Sequence, residues 1–382
     1  MIEPVAGQLM TAARREDPVT NCAHDGEPID AAALLVWMIY SVGTRLEDGA
    51  GGMCTVFAAF KESARLQARG IQFVDSHTRS HRLRSFCNAW QTLDRQLRPG
   101  DIAWLHCSYW LSISRKLLLG KLARRKGARV VVQLHGREVE LLLNNKPGTW
   151  LVHALLKMAD GVVVMTPWWQ RYFTARFDHI APKLHVCPNP IGSHLREVAA
   201  QPHSPRQSSQ EVRVLAMSRL VPGKGFEQAL AAMTALPETY HLTIAGDGVL
   251  MARLKQQARE LGLEDRVSFP GWIEEAQKHR VLNGHQVFLL PSRNDAFGMG
   301  FVEAMAYGLP VVALNYQATP DVVINGRTGV LCDDHQPQTL AKAVESCAEN
   351  AQVMGPAAKR HVLSAFDNDA ITANLLRFFD QL

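Results

Sequence analysis

The feature that most constrains this chain is an alternation sustained over most of its length. Short continuous apolar segments are each followed by a stretch of helical periodicity. In the first half, "LLVWMIYSV", "DIAWLHC", "ARVVVQLHG" and "DGVVVMT" read as strands, and "MCTVFAAFKESARLQARG", "SISRKLLLGKLARRKG" and "WLVHALLKMA" as helices. In the second half, "EVRVLAMS", "YHLTIAGDG", "RVSFPG", "VFLLPS", "PVVAL" and "GVLCDD" read as strands, with helices "GFEQALAAMTAL", "LMARLKQQARELGL" and "GFVEAMAYG". Strands that are apolar on both faces, separated by amphipathic helices, predict parallel sheets covered on both sides, which is the α/β class.

A chain of 382 residues has room for two such domains or three. Residues 197–210, "EVAAQPHSPRQSSQ", are poor in large apolar side chains and rich in Pro, Ser and Gln, and read as a linker. The expected layout is an amino-terminal extension (1–30), a Rossmann-like acceptor-side domain (31–196), that linker, a second Rossmann-like donor-binding domain (211–365), and a carboxy-terminal helix (366–382) crossing back to the first domain.

Composition narrows the class. Residues 31–40, "AAALLVWMIY", are ten apolar residues, too few to span a bilayer. The polar segment before them lacks a basic-then-apolar signal layout, so the expectation is no export and a cytoplasmic location. Seven cysteines, an odd number with no CxxC pair, fit free thiols rather than disulfides or zinc. The net charge of +5 is uneven: residues 1–192 carry 24 Lys and Arg against 16 Asp and Glu, and the remainder 17 against 20. A basic first half suits an anionic partner, although an excess of this size also fits an ordinary solvated surface.

Ligands of doubly wound sheets bind beyond the carboxyl ends of strands, where loops enter helix N-termini. Four motifs fall there. In "SRLVPGKGFEQAL", Arg219 ends a strand and Lys224 opens a helix, and two glycines let the backbone approach, a pattern suited to a diphosphate. In "IAGDGVL", Gly246 and Gly248 flank Asp247; in "FPGWIEEAQ", Trp272 follows a strand and could flank a base. In "PSRNDAFGMGFVEAMAYGLPVVAL", amides around Phe297, Gly298, Met299 and Gly300 precede a helix, and two carboxylates, Asp295 and Glu303, straddle the loop. Each motif by itself also fits a turn, a cap or a packing residue. Carboxylates beside an anion-binding loop make sense together if the ligand presents hydroxyls as well as phosphate, as a nucleotide sugar does.

In this order and spacing, these motifs resemble the GT-B glycosyltransferases of family 4, a retaining group. The resemblance is carried by Arg219-Leu220, Lys224-Gly225, Gly246 and Gly248, Phe297-Gly298, Glu303-Ala304, Ala306, Gly308 and Pro310-Val311, and by "TPDVVINGRTGVL" beyond them. It covers the second half of the chain. Two positions depart from the family: Ser218 stands in place of its glycine, and Asp295 in place of the first Glu, so the acidic motif is Asp-x7-Glu. The first half is similar too, in "EDGAGGMCTVF" (Gly49, Gly51, Gly52), in "WLHCSYW" and "QLHGREVE", and in "VCPNPIG".

The resemblance implies two Rossmann-like domains facing across a cleft. It implies a nucleotide-sugar donor, UDP or GDP, held by Gly51, Gly52, Arg219, Lys224, Gly246, Trp272, Phe297, Gly298, Met299, Gly300 and Glu303, with Glu303 on the ribose. It places Asp295 on donor-sugar hydroxyls and His135 beside the transferred sugar, and names Asp295, His135, Arg219 and Lys224 as catalytic. Retention through same-face attack, with the leaving diphosphate taking the acceptor's proton, requires no metal and no cofactor. Asp367-Asn368-Asp369 has a metal-binding look but opens the last helix, where capping accounts for it.

The acceptor implied is a saccharide, lipid-linked, in surface-polysaccharide or lipopolysaccharide synthesis. The basic helix with Arg115, Lys116, Lys121, Arg124, Arg125 and Lys126, together with Arg65, Arg69, Arg82 and Arg84, fits peripheral association with the anionic inner face of the cytoplasmic membrane. Two other readings stay open: a nucleotide-sugar epimerase or hydrolase of the same fold, and a non-catalytic nucleic-acid binder using the basic half. No RNA-binding signature supports the second, so nucleic acid is not an expected partner.

Overall fold

A computed structural model describes residues 37–44, 52–78, 81–203 and 211–382, with Gly52 and Met53 described by backbone alone. The extension at 1–30, Gly49 and Gly51, and residues 204–210 of the expected linker lie outside the described residues.

The first sheet is built from β1 (Ile39–Thr44), β2 (Ile71–His77), β3 (Ile102–Cys107), β4 (Arg129–Leu134), β5 (Gly161–Val164) and β6 (Leu184–Val186). Its strands are all parallel, in the order β2-β1-β3-β4-β5-β6. The helices around it are α1 (Gly52–Glu62), α2 (Ala64–Arg69), α3 (Arg82–Gln96), α4 (Trp110–Arg125), α5 (Arg137–Leu142), α6 (Lys146–Met158), α7 (Pro167–Thr174) and α8 (Ser193–Ala200).

The second sheet has β7 (Val212–Met217), β8 (Tyr240–Ala245), β9 (Val267–Gly271), β10 (Val287–Leu289), β11 (Val311–Leu314) and β12 (Gly329–Cys332), again all parallel, in the order β12-β11-β10-β7-β8-β9. Its helices are α9 (Phe226–Met233), α10 (Met251–Glu260), α11 (Glu275–Asn283), α12 (Met299–Ala306), α13 (Pro337–Glu349) and α14 (Ala351–Ala365). Strand order reverses between β1 and β3 in one sheet and between β7 and β10 in the other. Each sheet therefore opens a crevice at its carboxyl edge at that point.

Central strands such as β3 and β11 are buried at every residue, which is why they read as largely apolar runs. The last helix, α15 (Asn368–Asp380), packs on the first sheet's elements. Asn368 donates to the Ala59 carbonyl at 2.6 Å, Ser63 Oγ to Thr372 Oγ1 at 3.1 Å, and the Phe378 ring stacks on His185 at 4.5 Å. Asp367 caps α15 by accepting from the Ala370 amide at 2.9 Å. Its second oxygen and the Asp369 carboxylate lie 3.4 and 3.8 Å from Arg196.

Four sequence expectations are corrected. The helix expected over 53–70 breaks at Ser63, whose hydroxyl caps α2 and is drawn into the contact with Thr372. The linker expected from 197 begins in a helix, since α8 runs to Ala200 with Val198 and Ala199 buried. Strand β2, "IQFVDSH", and helix α3 were not expected: β2 is an edge strand, only partly buried, and mixes Gln72, Asp75, Ser76 and His77 with its apolar residues. Lys116, expected on a basic surface, is 1% exposed inside α4 and donates to Ser76 Oγ at 2.5 Å. Half of α4 is buried, including Ile113, Leu117, Leu119, Leu122 and Ala123, so those leucines are core, unlike the exposed Leu118, and the cationic face is narrower than the residue count suggests.

Candidate active site

Backbone geometry sets the second sheet's contribution. Gly246 and Gly248 follow β8 at φ +145° and +152°, and a Cβ on either would come within 1.9 Å of the Ser218 carbonyl oxygen or 2.4 Å of that of Leu220. Only glycine allows the loops after β7 and β8 to lie in contact, tied by the Ser218 amide to the Ala245 carbonyl (3.1 Å) and the Leu220 amide to the Asp247 carbonyl (2.9 Å). Gly225, at φ +83°, similarly presses the loop entering α9 against the Pro291 carbonyl after β10, where a Cβ would sit 2.3 Å away.

The second approach brings two distant motifs together. Lys224, buried at 7% exposure, reaches the Asp295 carboxylate, Nζ to Oδ1 2.6 Å. The other oxygen, Asp295 Oδ2, is buried and has no hydrogen-bond partner among the described residues. A buried carboxylate oxygen left this way costs on the order of 1–3 kcal/mol until a donor fills it.

Gly298, at φ +87°, caps α12, and Met299 and Gly300 form its first turn, so their amides point out of the helix start. Glu303 lies one turn further on, 7% exposed. Burial raises its carboxyl above the usual range, and the Lys278 ammonium, 3.3 Å from Oε1, only partly offsets this. Lys278 of α11 also meets Glu275 at 2.9 Å. Burial works against its charge, but Glu303 and Glu275 together outweigh that and hold it above the ordinary lysine value.

The first sheet contributes a histidine pair. His135 follows β4, its amide donating to the Cys107 carbonyl at 2.9 Å. Its Nε2 lies 2.7 Å from His106 Nδ1, and His106 Nε2 lies 2.9 Å from Ser41 Oγ. The Phe57 ring packs edge-on against His106 at 4.4 Å. Burial, with the Lys116 ammonium adding, pushes His135 down to about 3, so its ring is neutral at ordinary pH. His106 is held well below its usual value by burial first, then by His135 and Lys116. Burial brings Lys116 itself down to about 8.

His135 and the second sheet's loop and helix-start residues line one cleft of about 880 Å³, while His106, Ser41 and Lys116 do not reach it. Of the thirteen sequence-predicted site residues, eleven line it: His135, Arg219, Lys224, Gly246, Trp272, Asp295, Phe297, Gly298, Met299, Gly300 and Glu303. Gly52 opens α1, whose Cys54 and Thr55 reach the cleft; Gly51 lies outside the described residues. Trp272 is 39% exposed at the cleft. Lys278 was missed from sequence because it sits on an ordinary charged helix, "EEAQKHR", with no motif to mark it. Arg137, directly after His135-Gly136, was also missed although it lines the cleft. Chemically, the cleft offers cations (Arg219, Lys224 and also Arg137 and Lys278) and a helix start for phosphate, carboxylates including Asp295 and Glu303 for hydroxyls, and a neutral imidazole.

Among the described residues no helix is long and apolar enough to cross a membrane, and no group of three or more His, Cys, Asp or Glu could hold a metal ion.

Residues 37–193 match the model of "Glycosyltransferase Family 4", and residues 199–361 that of "Glycosyl transferases group 1". A GDP-mannose-dependent alpha-(1-6)-phosphatidylinositol monomannoside mannosyltransferase of Mycolicibacterium smegmatis is 31% identical over 256 residues, covering 62% of this chain and 65% of that protein. The lipopolysaccharide core biosynthesis glycosyltransferase LpsE of Rhizobium meliloti is 30% identical over 162 residues, 42% of this chain and 47% of that one. The crystal structure of Anabaena Alr3699/HepE in complex with UDP and glucose superimposes with a TM-score of 0.70 at 19% identity, covering 91% of this chain and all of that one.

Proposed function

The chain belongs to the family 4 glycosyltransferases of the GT-B fold, and from that membership we propose that it moves a hexosyl unit from a UDP- or GDP-sugar to a saccharide acceptor with retention of configuration. One observation carries the reading: Asp295, paired with Lys224, keeps an unpartnered buried oxygen in the cleft that His135, Arg219 and Glu303 also line. A diphosphate alone would be repelled there, whereas a sugar hydroxyl donates to that oxygen.

In the proposed arrangement Arg219, Lys224 and the amides of Gly298 to Gly300 take the diphosphate, Glu303 accepts from the ribose and Trp272 flanks the base. His135, held neutral and oriented by His106, lies at the transferred sugar. The bond from the sugar carbon to the diphosphate oxygen breaks while the acceptor oxygen bonds to the same face of that carbon. The acceptor's proton passes to the departing diphosphate. The growing charge meets groups already in place, and such preorganised stabilisation is the main catalytic contribution the cleft offers. In this scheme the cations do the work a metal would do, so EDTA is expected to leave the rate unchanged.

We place the acceptor among lipid-linked saccharides of surface-polysaccharide synthesis, at the inner face of a membrane. The mycobacterial and rhizobial relatives, named for a phosphatidylinositol mannoside and a lipopolysaccharide core, support this. So does the surface, where Leu83 and Leu118 are 82% and 47% exposed on the two helices that carry Arg82, Arg84, Lys121 and Arg125. Flotation with anionic liposomes at low salt tests the membrane part: protein that stays in solution removes it. A thermal-shift panel of UDP-, GDP- and ADP-sugars tests the donor; stabilisation by none of them removes the donor assignment.

A further inference from the structure

The loop between β10 and α12, which carries Asp295, is held from the opposite side of the cleft. Trp169, 2% exposed in the first turn of α7, donates its indole Nε1–H to the Ala296 carbonyl at 2.6 Å. Ala296 is the residue next to Asp295. Arg137 donates to the Arg293 carbonyl in the same loop and is itself gripped by Glu140 at 3.2 Å. Glu140 in turn accepts from Gln317 of the second sheet's side at 2.9 Å. Toward the end of the loop, Phe297 packs edge-on against Phe366 at 5.5 Å, beside the Ile191-to-Phe366 backbone bond that joins the two halves.

The Trp169 ring has little freedom. Phe173 stacks on it at 5.7 Å, and Trp168 meets it edge-on at 4.8 Å. The helix carrying it is tied as well: Thr166 accepts from the Trp169 amide at 3.5 Å, and Asp321, from the segment after β11, accepts from the Trp168 amide at 2.7 Å. The loop's own half holds it through Lys224, through the Gly223 carbonyl, which accepts from the Arg293 amide at 2.8 Å, and through the Pro222 carbonyl, which accepts from Asn294 at 3.3 Å; the two donors from the other half add to these, and Trp169 meets the carbonyl on the far side of Asp295.

We infer that Trp169 is a positioning residue for Asp295: its indole N–H holds the Ala296 carbonyl, and so aims the adjacent carboxylate, only when the two halves are together. The inference rests on the proposed donor role of Asp295. Its consequence is that the sugar-facing part of the donor site is completed by the acceptor-side half, while the diphosphate-facing part, Arg219 and Lys224, is not.

The test is a double-mutant cycle between Trp169→Phe, which keeps the ring and removes the donor, and Asp295→Ala, read as kcat/KM for the nucleotide sugar and as affinity for the free nucleoside diphosphate. Losing one neutral hydrogen bond should lower kcat/KM about three- to tenfold, leave diphosphate affinity unchanged, and have no further effect in the Asp295→Ala background. An unchanged kcat/KM, or an undiminished effect in that background, overturns the inference. If Asp295→Ala itself changes nothing, the donor reading fails instead. Should Trp169→Phe not fold, Arg137→Gln removes the second tie, and the same split is expected of it; its absence overturns the inference equally.

Discussion

Acidification should strip stability from the His106–His135 pair, by an amount that follows from its environment. In the folded protein His135 is held down to about 3, chiefly by burial. In the unfolded chain it returns to about 6.5. A histidine with a depressed folded value contributes stability that is intact above the unfolded value and is lost as pH falls from there toward the folded one. Between pH 7 and pH 5 that loss is about 2 kcal/mol for His135, at 1.36 kcal/mol per unit of pKa difference. Cleft water reduces the figure. His106, fully enclosed and lowered for the same reason, adds to it in the same direction. The assay is urea unfolding at both pH values for the wild type and for a His106→Gln/His135→Gln double variant. Titrations common to both cancel in the difference. The wild type should lose about 2 kcal/mol or more beyond what the variant loses. Equal losses would mean that the pair titrates in the folded protein as it does in the unfolded chain, and the argument that burial holds His135 neutral would fail.

Other outcomes follow from single contacts. Gly246→Ala drives a methyl to within 1.9 Å of the Ser218 carbonyl oxygen, so it should lower stability by about 1–3 kcal/mol and donor affinity with it, as thermal melts with and without UDP-sugar would report. Asp295→Glu restores the reach of the family's first acid and should alter the preference among donor sugars, whereas Asp295→Ala should cut turnover with the nucleoside diphosphate still bound; kinetics across a donor panel distinguish the two. Lys278→Met leaves Glu303 buried without its cation. Protonation relieves that at low pH, so the loss of stability, about 1–3 kcal/mol, should be greater at pH 8 than at pH 5 in parallel unfolding curves. Lys224→Ala and Glu303→Ala should each weaken donor binding in calorimetry while the protein stays folded.

The α/β class and most of the second-half motifs were readable from the chain alone, and for a local reason. A central parallel strand such as β11 is buried on both faces, so "VVAL" must be apolar throughout, and that run is visible in one dimension. Glycines 225, 246 and 298 are equally visible, because a positive φ or a carbonyl in contact distance admits little else. What could not be read is whatever depends on elements far apart in the chain. The edge strand β2 needs no apolar run, and Lys116 lies on a helix whose cationic look hid which side faces in. The helix start "TPWW" signals α7, yet nothing near it says that the Trp169 indole will meet a carbonyl 127 residues on. Likewise, only folding brings Lys278 to Glu303, Lys224 to Asp295, and His106 to His135. The residue types were determined locally by strand burial and turn geometry. The pairings, and with them the charge states the chemistry uses, were decided by tertiary structure, because burial and neighbouring charge are properties of the assembled cleft.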